Sequence, residues 1–198
     1  LVSTWLPALD GVVDKLTQGG ATVADIGCGH GASTLAMAEA FPGTTFVGYD
    51  VHPASVDGAR RRAVEAGLAD RVRFETSAGK DVSGRYDLVC FFDCLHDMGD
   101  PVGALAHVRS ILADGGTVLL VEPMAGDAVD DNLNPVGAAY YAFSTLLCTP
   151  NSLSQEVGAA LGAQAGEARL RQVAAKAGFG RVRRVAETPF NMVLEVRP

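Results

Sequence analysis

The sequence has few cysteines, and nothing in their arrangement indicates a metal site. Cys28, Cys90, Cys94 and Cys148 form no Cys-x-x-Cys pair, and no histidine lies at metal-finger spacing from any of them. We therefore expect no metal, and free cysteines that pack as small hydrophobic side chains. No apolar run approaches the roughly 18 residues of a membrane span, and the N-terminus lacks the basic and then apolar order of a signal peptide. These absences predict a cytoplasmic protein with no membrane partner.

Positive charge is also scarce. The 198 residues include 16 Lys and Arg against 23 Asp and Glu, which gives a formal net charge of −7. A nucleic-acid surface needs clustered basic residues, and the one cluster, at positions 60–62, is typical of a solvated helix face. We therefore expect no nucleic-acid partner. The length and the 48% of hydrophobic residues predict a single folded domain over 1–198 with its own core.

Apolar runs of strand length alternate with segments of helical periodicity, which predicts an α/β fold with a parallel sheet and helices on both faces. A helix is expected over residues 5–16, with Ser3 or Thr4 as its N-cap. The predicted strands are 22–26, 45–49, 72–74, 86–92 and 117–122, and the helices between and after them are 32–41, 53–66, 101–112 and 167–177. Residues 124–166 break the alternation and predict a partly helical insertion. The last two strands, 181–187 and 190–196, are so closely connected that they must be antiparallel.

The first strand runs into the sequence Gly27-Cys28-Gly29-His30-Gly31, whose glycines permit a tight turn and close approach of a ligand. Asp25 lies two residues before the first glycine, and Asp50 ends the second strand, where a carboxylate can bind both ribose hydroxyls. The spacing is not the Gly-x-Gly-x-x-Gly of a pyrophosphate site. An acid at Asp25 would repel a pyrophosphate and attract an ammonium group, which disfavours an NAD-type oxidoreductase and favours S-adenosylmethionine.

These residues resemble the class I S-adenosylmethionine-dependent methyltransferases, and the match covers most of the chain. It rests on the loop 25–31, Asp50, the strand that begins Tyr86-Asp87-Leu88-Val89, Gly115-Gly116-Thr117 and the closing hairpin. More narrowly, the chain resembles the methyltransferase domain of bacterial proteins with an N-terminal winged-helix-like segment. The resemblance implies a Rossmann-like, mostly parallel seven-stranded sheet with a C-terminal antiparallel hairpin. It also implies S-adenosylmethionine as cofactor and S-adenosylhomocysteine as product.

The resemblance assigns cofactor-binding roles residue by residue. Asp25, Gly27 and Gly29 would contact the methionine portion, Asp50 the ribose, and Val51 the adenine. The family often has an acid after the third strand, where this chain has Thr76-Ser77-Ala78-Gly79. We expect Ser77 and the backbone at Ala78 to take its place near the adenine.

The segment after the fourth strand should face the ligand, because ligands of open α/β sheets bind outside the carboxyl ends of the strands. Asp93 could accept from the ammonium of the cofactor. His96 has an ordinary pKa suited to removing a hydroxyl proton, and Leu95-His96-Asp97 resembles the segment that supplies the base in small-molecule O-methyltransferases. A His at this position can also simply pack near the cofactor. Tyr140, Tyr141 and Phe143, with Trp5, could line the pocket of a small apolar or aromatic acceptor, and Asn151, Ser152 and Gln155 could orient it.

Two alternatives to a methyltransferase remain open. One is a non-catalytic sensor domain that binds the cofactor to regulate an attached module, and the other is the NAD-type oxidoreductase. The chain begins at Leu1 rather than at a methionine, so we expect a fragment that lacks an N-terminal domain, and homodimerisation through that segment is open.

Overall fold

The computed structural model describes residues 1–198 and contains one seven-stranded sheet in the order β3-β2-β1-β4-β5-β7-β6. The pairings β1·β2, β1·β4 and β2·β3 are parallel, whereas β6 and β7 are antiparallel. The strands are β1 Thr22–Ile26, β2 Thr45–Asp50, β3 Val72–Thr76, β4 Tyr86–Phe92, β5 Leu112–Pro123, β6 Arg181–Glu187 and β7 Asn191–Arg197. This confirms the predicted Rossmann-like, mostly parallel sheet with its closing hairpin.

The chain divides into two compact units, and the first comprises Leu1–Phe92 and Ser110–Leu119. Its helices are α1 Val12–Gln18, α2 Ala32–Ala40 and α3 Pro53–Glu65. The strands β1, β2 and β4 read as almost uninterrupted apolar runs because both of their faces are covered. Phe46, Ile26 and Leu88 are at most 1% exposed and lie at the centre of this core. The carboxyl ends of these parallel strands lie at one edge of the sheet, and the loops described below follow them.

The prediction of one N-terminal helix over residues 5–16 is wrong. A 3₁₀ turn occupies Leu6–Ala8, and α1 begins only at Val12. Gly11 has φ +70°, which a right-handed helix cannot include, so it ends one segment and begins the next. Neither Ser3 nor Thr4 caps the turn, whose N-cap is Trp5. The apolar spacing reflected burial rather than one continuous helix.

The second unit comprises Asp93–Arg109 and Leu120–Pro198. Its helices are α4 Pro101–Ile111, α5 Pro135–Phe143, α6 Thr149–Leu153 and α7 Gly166–Lys176, with a π-helical turn at Ser144–Cys148 between α5 and α6. The predicted insertion at 124–166 is therefore partly helical. The hairpin forms where it was expected, since the Thr188 hydroxyl accepts the N–H groups of Phe190 and Asn191 and closes the turn.

Strand β5 starts five residues earlier than predicted, at Leu112 rather than 117. Its first part is exposed at Asp114 and Gly115, and the positive φ of Gly115 lets the backbone bend there without leaving the strand. From Gly116 onwards the strand is buried without interruption. The glycine pair therefore marks a bend inside the strand and not its beginning.

The longest apolar helices of this fold fall short of what a membrane crossing requires.

Candidate functional site

The glycine loop of the first unit is held by the neighbouring strand. The N–H groups of Gly27 and Cys28 both donate to the Tyr49 carbonyl, at 2.8 and 3.0 Å, and the Gly29 N–H donates to Asp50 Oδ2 at 2.9 Å. Gly29 has φ +52°, and a Cβ placed on it would meet no atom within 4 Å. The loop thus presents bare backbone to open space, a surface that a ligand can approach closely.

Asp25 is a buried acid, and one of its two carboxylate oxygens has no hydrogen-bond partner. The side chain is 1% exposed, and its Oδ2 accepts the hydroxyls of Ser33 and Thr34, each at 2.6 Å. Its Oδ1 is also buried but has no hydrogen-bond partner. Burial raises the pKa of Asp25 to about 6, although the two hydroxyls oppose the rise and the charge of Asp50 adds to it. A buried acceptor without a donor is costly, and an ammonium group would satisfy it.

Asp50 is anchored by backbone on both sides. Its Oδ2 accepts from Gly29, as above, and its Oδ1 accepts the His52 N–H at 2.9 Å. Each carboxylate oxygen keeps a second acceptor site, so the group can still bind a pair of hydroxyls. Val51, next in sequence, is 68% exposed. The Asp50 carbonyl also accepts the Ser77 N–H at 3.0 Å.

The predicted cofactor residues of the first unit therefore lie together. Ser77 follows β3 and is tied to the end of β2 through that carbonyl, and its hydroxyl donates to the Ala78 carbonyl at 3.2 Å. Gly27 and Gly29 are tied to the same strand end, while Asp25 lies inside the turn. The individual contacts assigned to these residues stay predictions. The orphaned Asp25 oxygen, the open glycine face and the anchored Asp50 carboxylate fit an ammonium-bearing nucleoside such as S-adenosylmethionine.

In the second unit, His96 forms a buried pair with Glu122. His96 Nδ1 lies 2.5 Å from Glu122 Oε2, and Glu122 Oε1 accepts the Leu95 N–H at 3.0 Å. The imidazole is 3% exposed and the carboxylate 1%. Burial lowers the pKa of His96, but the hydrogen bond and charge of Glu122 outweigh it, so that the pKa is raised above its ordinary value. The bond to Glu122 places the Nδ1 proton there and leaves Nε2 as the basic nitrogen.

Asp93 sits in a strained conformation beside this pair. Its φ is +51°, which is unusual for a residue other than glycine. Its two carboxylate oxygens lie 2.9 and 3.0 Å from Asn191 Nδ2, and its N–H donates to the Val121 carbonyl. Desolvation and then the charge of Glu122 raise the pKa of Asp93 to about 6, even though part of its side chain faces solvent. The carboxylate is therefore already paired, and its predicted contact with an ammonium group stays a prediction.

Polar residues in and just after α6 hold the His96 segment in place. The amide groups of Asn151 and Gln155 donate to the Asp97 carbonyl at 3.2 and 2.9 Å, and the Ser152 hydroxyl donates to the Met98 carbonyl at 2.8 Å. Gln155 also accepts the N–H of Gly99. These groups therefore brace the backbone of the His96 segment, and their predicted part in orienting an acceptor stays a prediction.

Two partners were missed by sequence reasoning. Glu122, at the end of β5, was not predicted as a site residue, and its contact with His96 spans 26 positions. Cys148 was treated as a small hydrophobic residue, yet burial and then the Asp97 carboxylate raise its pKa to about 11. A buried acid at the end of an apolar strand was the available signal for the first, whereas nothing in the spacing indicated the second.

Comparisons with known proteins agree with this geometry. A family model described as a methyltransferase domain matches residues 24–118. Acetylserotonin O-methyltransferase of Mus musculus is 33% identical over 190 residues, which cover 88% of this chain and 43% of that protein. Dimethylglycine N-methyltransferase of Parasynechococcus marenigrum is 30% identical over 129 residues, 64% of this chain and 45% of that protein. This chain thus spans less than half the length of either relative.

A solved structure shares the fold at low sequence identity. An O-methyltransferase family 2 protein from Planctomyces limnophilus, in complex with apigenin, has a TM-score of 0.71 and 18% identity. The similarity covers 91% of this chain and 52% of that one. The matched domain, the related sequences and the common fold all make this chain similar to the class I S-adenosylmethionine-dependent methyltransferases.

Proposed function

We propose that this chain transfers a methyl group from S-adenosylmethionine to a hydroxyl group of a small aromatic or apolar acceptor, with His96 as the general base. The observation that carries the proposal is the buried contact between His96 Nδ1 and Glu122 Oε2 at 2.5 Å. A carboxylate on one imidazole nitrogen fixes the tautomer and makes the other nitrogen a stronger base. A buried imidazole N–H needs an acceptor in any role, and a charged carboxylate in that place adds the basicity that proton removal requires.

The first unit supplies the residues that would hold the cofactor. The unpaired Oδ1 of Asp25 accepts from its ammonium group, and the backbone at Gly27 and Gly29 lies along its methionine portion. The Asp50 carboxylate, already oriented by two N–H groups, binds the ribose hydroxyls. Val51 covers the adenine, and Ser77 with the Ala78 backbone binds near its edge. When bound, the cofactor supplies a methyl group on a positively charged sulfur.

The protein's own part in the reaction is to position the acceptor and to take up one proton. A cofactor held by Asp25, Gly27, Gly29 and Asp50 would supply an electrophilic methyl group for the acceptor oxygen, with its sulfur as the leaving group. The hydroxyl proton moves to His96 Nε2, and the resulting imidazolium is stabilised by the Glu122 carboxylate. Positioning supplies much of the acceleration in such displacements, and a base adds about 10²- to 10⁴-fold.

The hydroxyl acceptor is favoured by the base and by the relatives. Acetylserotonin O-methyltransferase acts on oxygen, and the Planctomyces structure holds apigenin. The dimethylglycine enzyme is an N-methyltransferase, so nitrogen is the competing acceptor. An amine that is already deprotonated in solution needs no base. Loss of His96 should therefore reduce methyl transfer to a hydroxyl group more than methyl transfer to an amine.

The experiment uses the full-length protein in two steps. Titration calorimetry should show binding of S-adenosylmethionine and S-adenosylhomocysteine but not of NAD; the reverse result would contradict the family's cofactor for this chain. A panel of phenols and amines then gives turnover in the wild type and in His96→Ala. We expect about 10²-fold or greater loss of kcat on a phenol with unchanged cofactor affinity.

Glu122→Gln is the matched variant, because it keeps the shape of the partner and removes its charge. It should lower kcat less than His96→Ala does and leave cofactor affinity unchanged. Loss of cofactor binding in His96→Ala would assign the histidine a packing role. Cofactor binding without turnover on any acceptor would instead support the sensor alternative.

A further inference from the structure

Three ligand atoms of different chemistry converge in the second unit. His96, Asp97 and Cys148 each offer one atom, and these atoms all lie within 4.8 Å of one another. His96 Nε2 and Asp97 Oδ1 are 3.4 Å apart. In a tetrahedral zinc site the bond lengths place neighbouring ligand atoms about 3.5 Å apart. The histidine and aspartate therefore already have the required separation, and the thiol lies within 4.8 Å of both.

The surroundings of the three atoms match those of a metal ligand set. The Nδ1 position of His96 is taken by Glu122 at 2.5 Å, which directs the lone pair of Nε2 toward the cluster. Metal-bound histidines almost always have such a carboxylate or carbonyl on their second nitrogen. Asp97 Oδ1 is a buried oxygen that lies 3.4 Å from His96 Nε2, and the Asp97 carboxylate raises the pKa of Cys148. The cluster thus contains a buried carboxylate oxygen that interacts with the other two members, and a histidine prepared to ligate.

We propose that His96 Nε2, Asp97 Oδ1 and Cys148 Sγ form a binding site for a thiophilic divalent cation such as Zn²⁺. One nitrogen, one carboxylate oxygen and one thiolate are ligands that Zn²⁺ prefers, and three protein ligands leave its fourth position for water. Binding releases the thiol proton of Cys148 to solvent and changes no oxidation state. Cations that prefer oxygen ligands, such as Mg²⁺, bind poorly, because two of the three protein ligands are nitrogen and sulfur.

The site has a consequence for activity that rests on the function proposed above. A cation on Nε2 occupies the lone pair that would take the acceptor proton. Zn²⁺ therefore inhibits methyl transfer to a hydroxyl by competing for the base. The metal site itself does not depend on that role, so the two can fail separately.

The cobalt form of the protein tests the site without any assay of activity. Co²⁺ added to the reduced, full-length wild type should produce a thiolate-to-cobalt charge-transfer band that saturates at one ion per chain. Cys148→Ser keeps the volume of the side chain and should lose the band. Cys94→Ser is the matched control, since Cys94 is the more exposed thiol and would be the site of adventitious binding. Glu122→Gln should keep the band with about 10- to 100-fold weaker affinity.

A second experiment measures the inhibition of methyl transfer by Zn²⁺. Zn²⁺ should inhibit the wild type and Cys94→Ser at concentrations that leave Cys148→Ser active, and a chelator should restore activity. Absence of the band in the wild type would overturn the metal site, as would a band lost in Cys94→Ser and kept in Cys148→Ser. If the band forms but Zn²⁺ inhibits all three proteins equally, the inhibitory consequence is wrong and the site stands.

Discussion

Replacing Asp25 with asparagine removes a charge from the protein interior while it keeps the shape of the side chain. The wild-type carboxyl group is 1% exposed, and only one of its oxygens is hydrogen-bonded. Asparagine can still accept the hydroxyls of Ser33 and Thr34 through its own oxygen. The substitution therefore isolates the electrostatic cost of the buried carboxylate.

The magnitude follows from the pKa. Burial raises the pKa of Asp25 from 3.8 to about 6, and at 1.36 kcal/mol for each pKa unit this is worth about 3 kcal/mol. Because the folded protein holds the proton more tightly than the unfolded chain, the favourable contribution is complete below pH 3.8 and is lost as the pH rises to about 6. The asparagine variant has no such dependence. Its free energy of unfolding, relative to wild type, should rise by about 3 kcal/mol across this interval.

Urea unfolding at a series of pH values measures this difference. Asp87→Asn is a control of opposite sign. Burial alone would raise the pKa of Asp87, but the bonds from Lys15 and Thr22 lower it below its ordinary value. That variant should lose stability relative to wild type as the pH rises through the ordinary range of a carboxyl group. A stability difference between Asp25→Asn and wild type that does not vary with pH would refute the buried-charge argument.

The same variant connects stability with cofactor binding. If the Asp25 carboxylate receives the ammonium group, Asp25→Asn should bind S-adenosylmethionine more weakly, although its stability relative to wild type is greater at neutral pH than below pH 3.8. A charge retained in the core at such a cost is typical of a site that serves function rather than stability.

Further substitutions test separate parts of the structure. Asp50→Ala should weaken S-adenosylmethionine binding by roughly 1.5–3 kcal/mol, the range for hydrogen bonds to a charged group, and unchanged affinity by calorimetry would refute the ribose role. Gly31→Ala places a Cβ 2.5 Å from the Phe74 ring at a φ of +76°, so thermal unfolding should show a loss of about 2 kcal/mol. Glu195→Gln removes the buried charge that pairs with the partly exposed Arg183 and should cost about 1 kcal/mol in urea unfolding; wild-type stability would show that the arginines find other partners.

Much of the fold was predictable because its signals are local. Runs such as Tyr86–Phe92 were predicted to the residue, since a strand covered on both faces must be apolar throughout. The exception at the N-terminus is instructive. Leu6, Leu9, Val12 and Leu16 are all buried, so the periodic pattern correctly marked a covered face. It did not show that Gly11 interrupts the helix, because apolar spacing carries no information on φ.

The candidate site was likewise predictable in its local features but not in its long-range contacts. The glycine turn, Asp25 and Asp50 could be found from their positions at strand ends, because a parallel sheet brings those ends to one edge. Within the first unit they lie together. The partners that determine their chemistry were not visible, such as the hydroxyls on one oxygen of Asp25 and the absence of any donor on the other.

The amino-acid order alone was sufficient for the alternation of strands and helices, the hairpin and the cofactor loop, since each of these depends on neighbours within a few residues. The environments of His96, Asp93 and Cys148 depend on residues far along the chain. Glu122 contacts His96 across 26 positions, and Asn191 contacts Asp93 across 98. Periodicity cannot encode such contacts, because they arise when separate elements pack. Folding of the chain is therefore what gives His96 a buried carboxylate partner and a raised pKa, and what brings Cys148 close to Asp97.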